Sequence, residues 1–194
     1  MERQVPDQLE QNDTAPSRAH DELLVVRCQL GEADAFDELI ARWHRPLWQY
    51  VRRMTGRDDE AQDLLQEVWL RVIRGIARLR DGSRFRGWLF GIARRVLMDR
   101  LRREYAAPPA ADVDLGDVPA AAEVLDREAD LMLLESALAG LPAIERDVLA
   151  LFYLRDLSLA ELADALNVPV GTVKSRLFRA RRLLRAAMQE RSDS

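Results

Sequence analysis

The sequence predicts an all-α fold of two small helical domains joined by a flexible acidic linker, the C-terminal domain being a helix-turn-helix. Helix-forming residues, above all Ala, Leu, Arg and Glu, dominate a chain of 194 residues of which only 6% are aromatic. Apolar residues recur at helical spacing in several stretches, which favours amphipathic helices. A stretch rich in Pro, Ala and Asp interrupts this periodicity and predicts the linker.

The same signals predict where each part begins and ends. Residues 1–20 are polar and lack periodicity, so we expect a disordered tail. Residues 21–104 form the first predicted domain, residues 105–126 the acidic linker and residues 127–191 the second domain.

Start and stop signals define the helices of the first domain. Asp34 is predicted to cap a helix that Pro46 kinks or breaks and that Gly56 ends. The next helix is predicted over residues 58–79. Ser83 is predicted to cap a further helix that has an apolar face and an arginine-rich face.

The second domain carries the signals of two helices separated by a short turn. Ser158 and Glu161 fit a capping box, and Asn167 suits the left-handed conformation that ends a helix. A basic helix follows from about Gly171 to Met188, with an apolar stripe on one side. This arrangement predicts a helix-turn-helix.

The distribution of charge is more informative than its sum. A net charge of −4 taken alone argues against nucleic acid as a partner. Residues 78–103 and 170–191 are nevertheless strongly basic, and residues 104–147 between them are strongly acidic. Two basic blocks that flank an acidic middle indicate two surfaces for nucleic acid.

The second basic block suits duplex DNA, because an α-helix fits the major groove and its first exposed side chains reach the base edges. The candidates for these contacts are Thr172, Lys174, Ser175, Arg176 and Arg179. Arg182 lies further along the helix, where arginines either contact phosphates or form a solvated helix end.

The first basic block interleaves aromatic residues with arginines, a pattern that suits single-stranded or melted DNA. The residues concerned are Phe85, Trp88, Phe90, Arg84, Arg86, Arg94 and Arg95. The alternative for Phe85 and Trp88 is a place in the hydrophobic core, and Phe90 is ambiguous.

A third stretch, residues 58–69, presents Asp63, Gln66 and Glu67 on one polar side. An acidic and amide stripe repels DNA, so it faces solvent or binds a basic protein partner.

Several classes of function find no support in the sequence. The single cysteine, Cys28, excludes a disulfide within the chain and a paired-cysteine zinc site. No phosphate-binding loop, metal-ligand cluster or catalytic motif is recognisable, so we expect no enzyme, no cofactor, no metal and no small-molecule substrate. With no long apolar run, we expect a cytoplasmic protein without membrane insertion. A dimeric helix-turn-helix regulator that binds an operator remains the alternative to a polymerase subunit.

Taken together, these residues resemble the extracytoplasmic-function class of sigma factors, group 4 of the sigma-70 family. The first domain contains DDEAQDLLQEVWLRVIR and FRGWLFGIARRVLMDRLRR. The second contains LPAIERDVLALFYLRDLSLAELADALNVPVGTVKSRLFRARRLLRAAM. The resemblance covers nearly everything except the tail and the linker.

The resemblance implies a subunit that binds core RNA polymerase and directs it to promoter DNA. Docking on the β′ clamp helices would involve Asp63, Leu64, Gln66 and Glu67, and the β flap would be a further contact. Recognition of the melted -10 element would involve Arg80, Ser83, Arg84, Phe85, Trp88, Arg94, Arg95 and Arg102. Recognition of the duplex -35 element would involve Thr172, Lys174, Ser175, Arg176, Arg179 and Arg182.

The resemblance also implies that the linker threads towards the RNA exit channel and that an anti-sigma factor holds the protein inactive until a stress releases it. Two positions depart from the family pattern. Arg95 stands where the family often has Asn, and Gly91 stands where a basic residue is frequent.

Overall fold

The computed structural model describes residues 17–106, 134 and 136–192, and every regular element in these ranges is helical. The predicted all-α fold is therefore confirmed for the described residues. The predicted tail up to residue 16, and all of the linker from residue 107 onward, lie outside them.

The first domain begins with three helices, α1 (Arg18–Gln29), α2 (Ala33–Thr55) and α3 (Asp58–Gly75). Helix α1 includes residues 18–20, which the sequence assigned to the tail. Gly56 ends α2 in the left-handed conformation, with φ of 77°, as predicted.

Two predictions for α2 need correction. Pro46 does not break the helix, which runs continuously to Thr55 because Leu47 and Tyr50 beyond it are buried and hold the second half in place. A kink at Pro46 stays a prediction. Asp34 is not the cap, since the helix starts at Ala33 after the turn at Gly31. Asp34 lies instead in the first turn, where its negative charge is favourable.

The connection to the last helix of this domain also differs from the prediction. Helix α3 ends at Gly75, and a 3₁₀ turn covers Ile76–Arg78. A second 3₁₀ turn, Gly82–Arg84, precedes α4 (Phe85–Ala106). Ser83 is not the cap, because the Asp81 carboxylate accepts hydrogen bonds from the Ser83 amide at 3.0 Å and hydroxyl at 2.6 Å.

The second domain contains α5 (Ala143–Leu149), which continues into a π-helical segment (Ala150–Leu154), then α6 (Leu159–Leu166) and α7 (Val170–Ser192). Both hydrogen bonds of the predicted capping box are present between Ser158 and Glu161. Asn167 has a φ of 52° and ends α6 as predicted. Helices α6 and α7 form the helix-turn-helix, held by the buried stripe of Val173, Leu177 and Ala180.

The two domains pack against each other through α4 and α6. A methyl group added at Gly87 would lie 2.6 Å from the Glu161 carbonyl oxygen, and one added at Gly91 would lie 3.4 Å from Ala165 Cα. The helices approach this closely because neither glycine has a side chain. One hydrophobic core therefore extends through both domains.

Candidate nucleic-acid interface

The first turns of α7 present the side chains that the sequence predicted for duplex DNA. Lys174 and Ser175 are exposed, and Thr172 and Arg176 are half-buried. Helix α7 begins at Val170, directly after the turn in which Asn167 ends α6, so these side chains lie in its first two turns and share one end of the helix. In a helix-turn-helix, the residues at this end of the second helix are the ones that reach base edges in the major groove.

The remaining predicted cations lie further along α7. Arg182 is exposed, and the exposed Arg179 forms an ion pair with Glu145 of α5 at 3.0 Å. This ion pair shows that Arg179 already has an electrostatic partner within the second domain.

Sequence reasoning missed Phe178, whose exposed fraction of 70% is large for an aromatic residue. It lies one position after the buried Leu177 and therefore outside the apolar stripe of α7. An aromatic residue outside the stripe of a basic helix is the signal that could have identified it. An apolar side chain at this place suits contact with a thymine methyl group.

The predicted -10 residues fall into three groups in the structure, namely exposed residues, aromatic residues packed in the first domain, and arginines that face the second domain. Arg80, Ser83, Arg95 and Arg102 are exposed. Phe85 is only 1% exposed and packs edge-on against Trp43 at a centroid distance of 6.0 Å, so it occupies the core. Trp88 is half-buried over Gly75, and its ring is tilted against Phe85.

Two residues of the same basic block are structural in this conformation. Phe90 is fully buried and makes an edge contact with Tyr50 at 5.6 Å. Arg86 is buried and pairs through Nε with Asp21 Oδ2 at 2.8 Å, while its guanidinium lies over the Trp43 ring. Asp21 also accepts from Arg42 at 2.9 Å, so the buried carboxylate has several donors.

The last two predicted -10 arginines face the second domain. Arg84 forms a two-point ion pair with Asp164 of α6, one contact of which measures 2.8 Å. Arg94 Nε donates to Asp147 Oδ2 at 2.6 Å. Both guanidinium groups therefore meet carboxylates that belong to the other domain.

Asp147 is the most deeply buried of these carboxylates. It has no exposed surface and accepts a second hydrogen bond, from the Tyr50 hydroxyl at 2.6 Å. Burial raises the pKa of Asp147, and the hydrogen bonds from Tyr50 and Arg94 only partly oppose that rise. Burial, and then the charge of Asp147, raise the pKa of Tyr50 well above its ordinary value.

A groove of about 650 Å³ runs between α2 and α3. Its apolar walls include Ile40, Trp48, Leu70 and Ile73, and Gln66 lies at its edge. Among the other residues predicted to bind polymerase, Asp63 is exposed and Glu67 is half-buried beside Arg71, whereas Leu64 is buried in the core.

Within the described ranges, no group of His, Cys, Asp and Glu side chains is arranged to hold a metal ion. Among the same residues, no helix is both long and apolar enough to cross a membrane.

Comparison with known proteins identifies the family. Residues 39–106 match the family model of sigma-70 region 2, and residues 131–184 match that of sigma-70 region 4. An extracytoplasmic-function sigma factor of Bacillus subtilis, SigW, is 31% identical over 86% of this chain and 95% of its own length. The chain belongs to the extracytoplasmic-function sigma factors. It is a sigma factor that directs RNA polymerase to promoters, and the operator-binding regulator is not favoured.

Solved structures agree with the fold of this sigma factor. CnrH, in complex with the cytosolic domain of CnrY, is 26% identical, with a TM-score of 0.66 over 90% of this chain and 99% of that one. The sigma factor RpoE of Bartonella quintana, in complex with the anti-sigma factor NepR, is 23% identical, with a TM-score of 0.61 over 79% of this chain and 96% of that one.

Proposed function

We propose that this sigma factor reads the -35 element with α7 and the -10 element with α4 and the preceding loop, and that it docks on core polymerase through the groove between α2 and α3. The observation that carries this assignment is the separation of three surfaces of different chemistry. Two are exposed and basic, and the third is apolar.

The -35 element is recognised as duplex DNA by the exposed end of α7. Lys174 and Arg176 donate to guanine or to phosphates, and Thr172 and Ser175 are short enough for close approach to the bases. Phe178 adds an apolar contact that suits a thymine methyl group. Arg179 and Arg182 contact the phosphate backbone.

The -10 element is bound as a strand that is being opened. Arg80 and Ser83 of the loop, and Arg95 and Arg102 of α4, are exposed and face the strand. The loop is held at its start by Gln29, whose amide donates to the Ile76 and Leu79 carbonyl oxygens at 2.9 and 2.8 Å. Arg84 and Arg94 join this surface once the second domain has moved away.

Polymerase occupies the groove between α2 and α3. Leu70 and Ile73 are large apolar residues that are about half exposed, and such residues in a groove favour a protein partner. Asp63 and Gln66 form the polar border of that contact. The protein acts in the cytoplasm with its polymerase, and an anti-sigma factor restrains it there.

Transcription of genomic DNA by core polymerase of the source cell, with mapping of RNA 5′ ends, tests this assignment. The sigma factor is expected to add a set of start sites that share a -35 and a -10 motif. Ile73→Glu should abolish these starts, because it places a charge in the groove. Val26→Glu is the matched control, since both residues are 51% exposed and Val26 lies on α1 outside the groove.

Two results would reject the proposal. One is a failure of the sigma factor to add any start sites with core polymerase. The other is tight, cooperative operator binding by the free protein with a two-fold footprint, which would indicate a dimeric regulator.

A further inference from the structure

We propose that the π-helical segment (Ala150–Leu154) and α7 together form a binding site for a backbone phosphate of the -35 duplex, in which Phe152 and Tyr153 hold the guanidinium group of Arg181 in place. This inference rests on the proposed reading of the -35 element by α7. It adds a contact that depends on residues outside the two helices of the helix-turn-helix. It also gives a task to the π-helical segment, and such segments are often found at functional sites.

Two consecutive aromatic rings lie against the Arg181 guanidinium group. Its central carbon is 5.6 Å from the centroid of the Phe152 ring and 5.4 Å from that of the Tyr153 ring. Both distances are within the range of a cation–π interaction. The two rings meet edge to face, at an interplanar angle of 88° and a centroid distance of 5.0 Å. They therefore form a corner that contacts the guanidinium group from two directions.

This ring corner is fixed to the core of the second domain and is open to solvent at its outer side. Leu151, directly before the rings, is fully buried, and Phe152 is half-buried against the core. Tyr153 is 53% exposed, and Arg181 is exposed as well. The cation is thus held on a firm base while remaining accessible to a ligand from solvent.

The rings hold Arg181 without neutralising its charge. A ring face attracts a cation through its π electrons, and a stacked guanidinium group keeps the N–H groups at its edge available for hydrogen bonds. Arg179 differs, because its charge is paired with the Glu145 carboxylate at 3.0 Å. Within the part of the chain that the structure describes, Arg181 takes part in no ion pair. Its planar donors suit a phosphate, which the DNA backbone supplies.

The position of Arg181 on α7 fits a phosphate at the border of the major groove. Arg181 follows the exposed Lys174 by seven residues, which is almost two helical turns, so both lie on one face about 10 Å apart along the axis. Lys174 is proposed to reach the base edges in a groove that is about 12 Å wide. A cation two turns later on the same face is therefore placed to meet the backbone that borders this groove.

The contribution of the rings is to orient the arginine before DNA binds. A long charged side chain loses rotational freedom when it binds a phosphate, and this loss weakens the contact. The ring corner restricts Arg181 in advance, so less freedom is lost on binding. A phosphate contact held in this way fixes the register of α7 on the duplex without reading a base itself.

Holoenzyme that contains full-length variants tests the inference on a promoter that it transcribes. Arg181→Gln removes the cation, Tyr153→Leu removes one ring without changing the charge, and Tyr153→Phe keeps the ring. Arg185→Gln is the matched control, because it removes the same charge from an exposed position one turn later. The dissociation constant is measured over a range of salt concentrations. It is measured again on duplexes that carry a neutral methylphosphonate at one backbone position at a time across the -35 element.

Tyr153→Leu and Arg181→Gln are each expected to weaken binding by about threefold to tenfold, whereas Tyr153→Phe should bind like the wild type. The two losses should not add, because Tyr153 acts through Arg181. The wild type and Arg185→Gln should lose affinity at a methylphosphonate position to which Arg181→Gln is insensitive. Arg181→Gln should also reduce the slope of log affinity against log salt concentration by about 0.9, the value for one phosphate contact.

Unchanged affinity of Arg181→Gln, or a methylphosphonate pattern identical to that of the wild type, would overturn the inference. A loss in Tyr153→Leu that persists in the Arg181→Gln background would also overturn it and would assign Tyr153 to a protein contact on polymerase. If Tyr153→Leu loses helical circular dichroism, Tyr153→Met makes the same test.

The proposed function is tested separately by scrambling the -35 sequence. If the wild-type holoenzyme binds the scrambled promoter equally well, the proposed reading of this element by α7 fails, and the phosphate site fails with it. A wild type that depends on the -35 sequence, together with an Arg181→Gln variant that binds equally well, contradicts the phosphate site alone.

Discussion

At the scale of single residues, arginines from one basic block have different tasks. Arg86 is buried, pairs with Asp21 and stacks on Trp43, so it belongs to the interior of the first domain. Arg95 is exposed on the same helix and is available to DNA. Arg86 and Arg95 are the same residue type nine positions apart on one helix, and burial is what separates the structural arginine from the one proposed to contact DNA.

Substitution of Arg86 should affect mainly the stability of the fold, and substitution of Arg95 mainly the opening of the promoter. Arg86→Ala leaves the buried Asp21 with fewer donors and is expected to lower the free energy of unfolding by about 3 kcal/mol. Arg95→Ala should change it by less than about 0.5 kcal/mol, as for most exposed sites, yet reduce promoter opening. Urea unfolding measures the loss of stability, and permanganate reactivity of the melted strand measures promoter opening. Equal losses of stability in the two variants would contradict a structural role for Arg86 that Arg95 does not share.

Phe178 gives a second prediction at this scale. Phe178→Ala is expected to leave the fold intact, because the side chain is exposed, and to weaken -35 binding by about 1–3 kcal/mol if it contacts a base. The penalty should disappear on promoters in which the contacted thymine is replaced by uracil, which lacks the methyl group. A penalty of the same size on thymine and uracil templates would exclude the methyl contact.

At the scale of elements, the capping box sets the geometry of the helix-turn-helix. Ser158 Oγ accepts from the Glu161 amide at 3.2 Å, and the Glu161 carboxylate accepts from the Ser158 amide at 2.7 Å. The same carboxylate pairs with Arg18, so Glu161 both completes the cap of α6 and connects the start of this helix to α1.

Ser158→Ala should therefore destabilise the second domain by about 1 kcal/mol, the usual cost of losing such a cap. Ser136→Ala, at an exposed helical position, is the control and should stay within about 0.5 kcal/mol of the wild type. Hydrogen exchange of the α6 amides measures the local change. Equal protection in both variants would show that the cap does not stabilise α6.

The sequence could predict these elements because their signals are local. The spacing of Val173, Leu177 and Ala180 and the pair Ser158–Glu161 act within a few residues of one another. Ser83 was wrongly predicted as a cap because Asp81, two residues earlier, is an equally local competitor with a stronger acceptor. The docking of Gly91 on Ala165 joins residues distant in sequence, and no local pattern encodes that contact.

At the scale of the whole molecule, the contact between the domains should depend on pH. Burial raises the pKa of Asp147 above its ordinary value of 3.8, so the part of docking that depends on a protonated Asp147 is full below 3.8 and is lost as the pH rises through the raised pKa. The hydrogen bonds from Tyr50 and Arg94 to the ionised carboxylate oppose this loss. Tyr50, Arg94 and Arg176 are the charged or titratable groups around it.

Asp147→Asn isolates this contribution, since asparagine keeps an acceptor for Tyr50 but does not titrate. The radius of gyration of the wild type is expected to increase with pH relative to that of the variant. Scattering curves of both proteins, recorded at matched ionic strength over the same pH range, measure the difference. If the radius of gyration changes with pH in the same way in both proteins, Asp147 does not cause the pH dependence of the domain contact.

Two separate helices of this one sigma factor are proposed to read two separate promoter elements. Selection of transcribed promoters from a library randomised at both elements, with core polymerase and either Lys174→Ala or Arg95→Ala, tests it most directly. We expect Lys174→Ala to change base preferences only at -35 and Arg95→Ala to change them only at -10. Changes at the same element for both variants, or a uniform loss across all sequences, would contradict it.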